Sequence, residues 1–198
     1  MSYEEIMKGL KNKQYMPVYF LMGEEAYFID RITDFINANV LDDAQKSFNQ
    51  TVLYGRDTDV PGIINAAKRF PMMSEIQVVI VKEAQTLNKI DDLIYYVENP
   101  LKSTLLVINY KYKKLDKRKK LYKALEKNAV LFDSKKLYEN KIPQWITQAL
   151  KARGKNIEPK AAAILTEFLG NDLGKISGEL EKLVLVLKPD ESNITPLH

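Results

Sequence analysis

The chain has 198 residues with 30 basic and 26 acidic side chains, a formal net charge of +4 and a pI near 9.0. It holds no cysteine, which excludes disulfides and thiolate metal sites. Its one histidine is the last residue, His198, which excludes a histidine-based triad or zinc site inside the fold. Hydrophobic residues make up 45%, enough for a core, and the mild basicity permits nucleic-acid contact without requiring it.

The opening "MSYEEIMKGLKNKQYM" is amphipathic and lacks the apolar centre of a signal peptide. No apolar run approaches the ~20 residues of a membrane span. A cytoplasmic protein without membrane contact is expected. Next come five short apolar runs: "PVYFLMG" (17–23), "NQTVLYG" (49–55), "IQVVIVK" (76–82), "STLLVIN" (103–109) and "NAVLFD" (128–133). Each has an apolar or β-branched centre with little polar alternation, as do strands of a parallel sheet buried on both faces.

Helical periodicity fills the gaps. "EEAYFIDRITDFINANVL" places Tyr27, Ile29, Ile32, Phe35 and Ile36 at helical spacing. "DVPGIINAAKRF" starts at an Asp59 cap with Pro61 in its first turn and is expected to end near Phe70. "KIDDLIYYVEN" and "KLDKRKKLYKALEK" read as two further helices, the latter from about Asp116. After about Lys135 the pattern is helical only, with three short helices in which Trp145 and Phe168 take core positions. Gly154 and Gly170 end the first two of these helices. The closing "SNITPLH", after a helix and a Pro189-Asp190 turn, looks like a cut at a domain edge.

Alternating strands and helices followed by a small bundle predict an α/β, AAA+-like (RecA-type) architecture. A parallel five-stranded sheet flanked by helices spans 1–136 and a three-helix lid spans 137–198. The nucleotide motifs of such a fold are absent. A working phosphate loop needs a Lys on the β/γ phosphates and a Ser/Thr on Mg²⁺; here Gly23 is followed by Glu24 and Glu25, which suit a helix N-terminus and repel a triphosphate. The strand "VVIVKEAQ" puts Lys82 where the Mg²⁺-linked Asp of a Walker B strand would stand. No cofactor and no metal site is expected. The pairs Asp42-Asp43 and Asp91-Asp92 lack the accompanying groups of a catalytic dyad.

Two other stretches carry binding chemistry. In "KRFPMMSEIQ", Pro71 breaks a helix and two flexible methionines follow, which makes Phe70, Pro71, Met72 and Met73 a partner-docking cluster or else local core. The run 111–123 holds eight Lys/Arg and one Asp. Lys113, Lys114, Lys117, Arg118, Lys119 and Lys120 are its candidates for contact with DNA phosphates or another subunit, against a solvated helix face.

With these residues in hand, the chain resembles the delta-subunit family of bacterial DNA polymerase III, the clamp-opening part of the sliding-clamp loader. "PVYFLMGEEAYFIDR", "FPMMSEIQVVIVKEAQ", "KLDKRKKLYKAL", and "WITQALKARGKNIEPKAAAIL" with "DLGKISGELEKL" carry the likeness in the family's order, from about residue 15 onward. The resemblance implies a non-catalytic subunit that binds and opens the sliding clamp (the beta subunit) during DNA replication. It also implies work with other clamp-loader subunits, and with primer-template DNA through the assembled complex. The family's hydrophobic wedge falls on Pro71 and Met72, flanked by Phe70 and Met73. Where relatives often carry Leu-Phe or Phe-Phe, Pro-Met-Met stands here, so the aromatic anchor is reduced while the wedge character survives. Nothing in the chain corresponds to the family's C-terminal collar domain, so clamp binding is expected to outlast loader assembly. Two alternatives compete: a nucleotide-binding enzyme, and a DNA-binding or protein-interaction AAA+-like module without a clamp-opening role.

Overall fold

The computed structural model describes residues 1–187 and 192–197; the Pro189-Asp190 turn and His198 lie outside the described residues. Two compact units divide the chain, Met1–Lys135 and Lys136–His198. In the first, α1 (Tyr3–Lys11), β1 (Val18–Gly23), α2 (Ala26–Asn39), α3 (Asp43–Asn49), β2 (Gln50–Tyr54), α4 (Val60–Ala67), β3 (Gln77–Lys82), α5 (Ile94–Val97), β4 (Thr104–Lys111), α6 (Lys120–Asn128) and β5 (Val130–Ser134) follow one another.

The five strands form one parallel sheet in the order β2-β3-β4-β1-β5, so β1 sits between β4 and β5. All six residues of β1 are buried, which a strand achieves only with layers on both sides. Strand pleating sends Val18, Phe20 and Met22 into one core with α4, α5 and α6, and Tyr19 and Leu21 into the other with α1 and α2. The parallel sheet covered on both faces thus follows from apolar runs that are wanted on both faces.

Several expected boundaries move, each for a local reason. The helix after Asp59 keeps that cap, with Asp59 Oδ1 accepting from Gly62 N at 2.8 Å, but ends at Ala67 rather than near Phe70. "KIDDLIYYVEN" splits into a 3₁₀ turn over Ile90–Leu93 and one α turn. The basic helix starts at Lys120, not Asp116, because Asp116 closes a turn of its own. Its carboxylate accepts from Arg118 N at 2.9 Å and its carbonyl from Lys119 N at 3.0 Å. The sequence pattern also left out α3, which a capping box between Asp42 and Gln45 starts.

The second unit holds α7 (Ile142–Lys151), α8 (Pro159–Leu169) and α9 (Leu173–Val186). A two-residue parallel pair, β6 (Asn156–Ile157) with β7 (Asn193–Ile194), joins them, so this part is not wholly helical. Gly170 takes φ +68 and caps α8. Trp145 is half-buried, whereas Phe168 is 82% exposed. The core reading of Phe168 is therefore corrected: α8 buries Ala161 and Ala162, the small residues of its other end.

Candidate functional site

The strand-to-helix turn after β1 has only Glu24 and Glu25 between Gly23 and Ala26. Glu25 is buried and caps α2, its Oε1 accepting from Tyr27 N at 3.0 Å. Its own N–H donates to the Ser134 carbonyl at 3.1 Å, and Ser134 Oγ donates to the Glu25 carbonyl at 2.7 Å. Gly23 takes φ +124, and a Cβ there would lie 2.2 Å from the Ser134 carbonyl oxygen. Amides that a phosphate loop would offer to a nucleotide are thus bonded to Ser134 and Glu25, and strand β5 presses on the turn. At the end of β3, Glu83 is left-handed (φ 53) and its carbonyl accepts from the Thr86 N–H and hydroxyl. No group of three or more His, Asp or Glu side chains among the described residues is placed to hold a metal ion.

The loop between α4 and β3 carries the apolar cluster. Phe70 is 77%, Met72 61% and Met73 100% exposed, and Pro71 is half-buried. Met73 also takes the left-handed conformation (φ 54), uncommon for a side chain of its size. An open cleft of about 510 Å³ adjoins it, lined by Val40, Leu41, Gln45, Ser74, Glu75 and Ile76.

Beneath the loop lies a buried polar cluster that the sequence did not announce. The side-chain amide of Gln77 donates to the carbonyls of Ala67 at 3.3 Å and of Arg69, and to Thr104 Oγ1 at 2.8 Å. The Thr104 hydroxyl donates to the Ala67 carbonyl at 2.8 Å, and Tyr96 Oη to the same oxygen at 3.4 Å. These bonds satisfy inside the protein the carbonyl of Ala67, the last residue of α4, and that of Arg69 just beyond it. They explain why the helix stops at Ala67 and the chain leaves as an exposed loop.

The basic run does not form one free cationic face. Lys111 pairs with Asp30 at 2.5 Å, Lys114 with Asp133 at 3.2 Å, Arg118 with Asp116 at 2.7 Å and Lys119 with Asp91 at 2.5 Å. Lys113 Nζ donates to the Gln85 carbonyl at 3.1 Å. The Arg118 guanidinium holds the Asp116 carboxyl below its ordinary range, and Asp91 raises the Lys119 ammonium. Lys117 and Lys120 make no ion pair among the described residues, and both are exposed. Of the candidate cations, Lys114 thus turns toward Asp133 on β5, Arg118 toward Asp116 in its own turn and Lys119 toward Asp91, while the neighbouring Lys111 meets Asp30 on α2. That arrangement rests on tertiary proximity, which residue spacing does not carry. The two carboxylate pairs have structural roles: Asp42 caps α3 and Asp91 meets Lys119.

The chain is similar to known proteins of one family. A model of the family "DNA polymerase III, delta subunit" matches residues 19–135. The DNA polymerase III subunit delta of Bacillus subtilis (strain 168) is 31% identical over 189 residues, covering 90% of this chain and 54% of that protein. The solved structure of the Bacillus subtilis DNA clamp loader delta protein matches with a TM-score of 0.80 at 30% identity, covering 98% of this chain and 60% of that one. A DNA polymerase III gamma subunit-related protein from Thermotoga maritima matches with a TM-score of 0.52 at 10% identity. It covers 94% of this chain and 64% of its own, a likeness of fold alone. The chain spans about half the length of the curated relative it matches. The family match runs through all five sheet strands, from Tyr19 in β1 to just past the end of β5, and by it the chain belongs to the DNA polymerase III delta-subunit family.

Proposed function

We propose that the chain is a non-catalytic clamp-loader subunit that binds and opens the sliding clamp of DNA polymerase III. The observation that carries this reading is the exposed cluster of Phe70, Met72 and Met73 on a loop whose base is tied into the core by Gln77 and Thr104. An apolar side chain left in water at the tip of a supported loop gains free energy only when a partner covers it, and methionines adapt to the pocket they meet. Opening follows if the tip fits the clamp better when one clamp interface is sprung, since a ligand shifts an equilibrium only by its differential affinity.

The closed turn at Gly23 and Lys82 at the end of β3 support a subunit that hydrolyses no ATP itself and works beside subunits that do. Other loader subunits, primer-template DNA reached through the assembled complex and a cytoplasmic site of action belong to the same reading. The alternative is a DNA-binding or protein-interaction AAA+-like module without clamp opening. It would lean on Lys113, Lys114, Lys117, Arg118, Lys119 and Lys120, three of which are committed to ion pairs within the chain.

The test is a calorimetric titration of the chain with the cognate clamp, wild type against Met72→Ser/Met73→Ser. Loss of more than ~1.4 kcal/mol, about tenfold in affinity, is expected. Equal affinities with the fold intact would remove the wedge assignment.

A further inference from the structure

Between the end of α4 and the start of β3 the chain runs from Lys68 to Ile76 without regular structure. From Phe70 to Ser74, Met72 stands out among the described residues in having both its backbone N–H and its carbonyl hydrogen-bonded. Both bonds go to one side chain. Asn49 Oδ1 accepts from Met72 N at 2.6 Å, and Asn49 Nδ2 donates to the Met72 carbonyl at 2.9 Å. The second Nδ2 hydrogen reaches the Gln45 carbonyl at 3.1 Å, on Asn49's own helix.

Asn49 is 4% exposed, so these groups have little recourse to water if the bonds are lost. The carboxamide presents one acceptor and one donor, as a strand residue presents them to its neighbour in a ladder. It therefore holds the Met72 backbone through both of its polar groups, at a bend where the Met72 and Met73 side chains stand exposed. Only one amide orientation serves, because the flipped form would set oxygen against the Met72 carbonyl. Asn49 is also well anchored. It is the last residue of α3, whose first turn is closed by the reciprocal Asp42–Gln45 bonds at 2.8 and 3.3 Å.

We propose that Asn49 is a positioning residue for the clamp-binding tip: its side chain pre-orders the backbone at Met72 so that Met72 and Met73 reach the partner without first losing loop entropy. This rests on the wedge reading given above. A loop ordered before binding spares the complex that cost. Asn49 itself need touch no partner, since its work is done through the backbone of Met72.

The experiment titrates the whole chain with the cognate clamp in five forms: wild type, Asn49→Ala, Asn49→Asp, Met72→Ser/Met73→Ser, and Asn49→Ala added to that double variant. Hydrogen exchange at the Met72 amide is measured in parallel. Asn49→Ala is expected to weaken binding about tenfold, because the freed loop must then be ordered on binding, and to speed Met72 exchange. Asn49→Asp keeps the acceptor for the Met72 N–H but sets its second oxygen against the Met72 and Gln45 carbonyls, and is expected to weaken binding at least as much as Asn49→Ala. It also decides the matter if the alanine variant does not fold, where wild-type affinity would overturn the proposal. Without the methionines, adding Asn49→Ala should change the residual affinity little, because nothing is left to position. If Asn49→Ala binds like wild type while the methionine double variant is weak, the positioning role is wrong and the wedge reading stands. If the double variant also binds like wild type, the wedge reading fails and this proposal falls with it.

Discussion

Gly23→Ala tests whether the turn after β1 is a structural joint. The magnitude follows from three terms. At φ +124 an alanine is strained by about 1–3 kcal/mol. Its Cβ would sit 2.2 Å from the Ser134 carbonyl oxygen and 2.7 Å from the Ser134 nitrogen, backbone atoms that cannot rotate away, so β1 and β5 must part at their Gly23–Ser134 register. That movement breaks or stretches the two bonds between Ser134 and Glu25, each worth about 1 kcal/mol. The expected loss is about 3–5 kcal/mol, a large part of the ~5–15 kcal/mol that stabilises a domain. Urea unfolding followed by circular dichroism measures it. Trp145 lies on α7 in the second unit, so its fluorescence is not the probe. A loss under ~1 kcal/mol would show that β5 does not press on the turn. In the same preparation, ATP is expected to leave the melting temperature of the wild-type chain unchanged; a saturable rise would mean that the turn still binds nucleotide.

Other outcomes follow from the same geometry. Met72→Ser/Met73→Ser is expected to leave the unfolding free energy from urea titration within ~0.5 kcal/mol of wild type, since Met72 is 61% and Met73 100% exposed; a large drop would place the side chains in the core. Thr33→Val removes the buried hydroxyl 2.9 Å from Asn109 Oδ1 and is expected to cost about 1–3 kcal/mol by urea unfolding, whereas a neutral result would mean Asn109 finds another donor. Burial raises the hydroxyls of Tyr19 and Tyr96 above the ordinary value of 10.0. Their contribution to stability is therefore whole below that value and lost as pH rises through the folded one, so alkaline unfolding should accompany tyrosinate formation. Loss of stability already at neutral pH would contradict that cause. If the isolated chain binds DNA through Lys117 and Lys120 alone, log affinity should fall with log salt at a slope no steeper than about −1.8; a much steeper slope would mean that the paired lysines exchange Asp30, Asp91 and Asp133 for phosphate.

The sheet was legible in the sequence because a strand covered on both faces needs an unbroken apolar run, and "VYFLM" or "VVIV" is too short for a buried helix. The missing phosphate-loop and Walker B residues were legible too, since they are identities at fixed places along the chain. Periodicity did less well where a side chain competes for the backbone. Asp116 turns the chain before α6 can start, and the Asp42 capping box begins a helix too short to show a stripe. It misjudged Phe168, because helical spacing names a face without saying what, if anything, lies against it. At the candidate site, Phe70 to Met73 could be picked out by residue type alone. Their exposure, and the bonds from Gln77 and Thr104 that end α4 beneath them, required the folded sheet. Asn49 meets Met72 across 23 positions, and the basic run meets Asp30, Asp91 and Asp133 from three other elements. Composition and local pattern settled the layers, because those depend on each residue's own preferences. Which polar groups find one another depends on where the chain returns in space, and only the tertiary structure decided that.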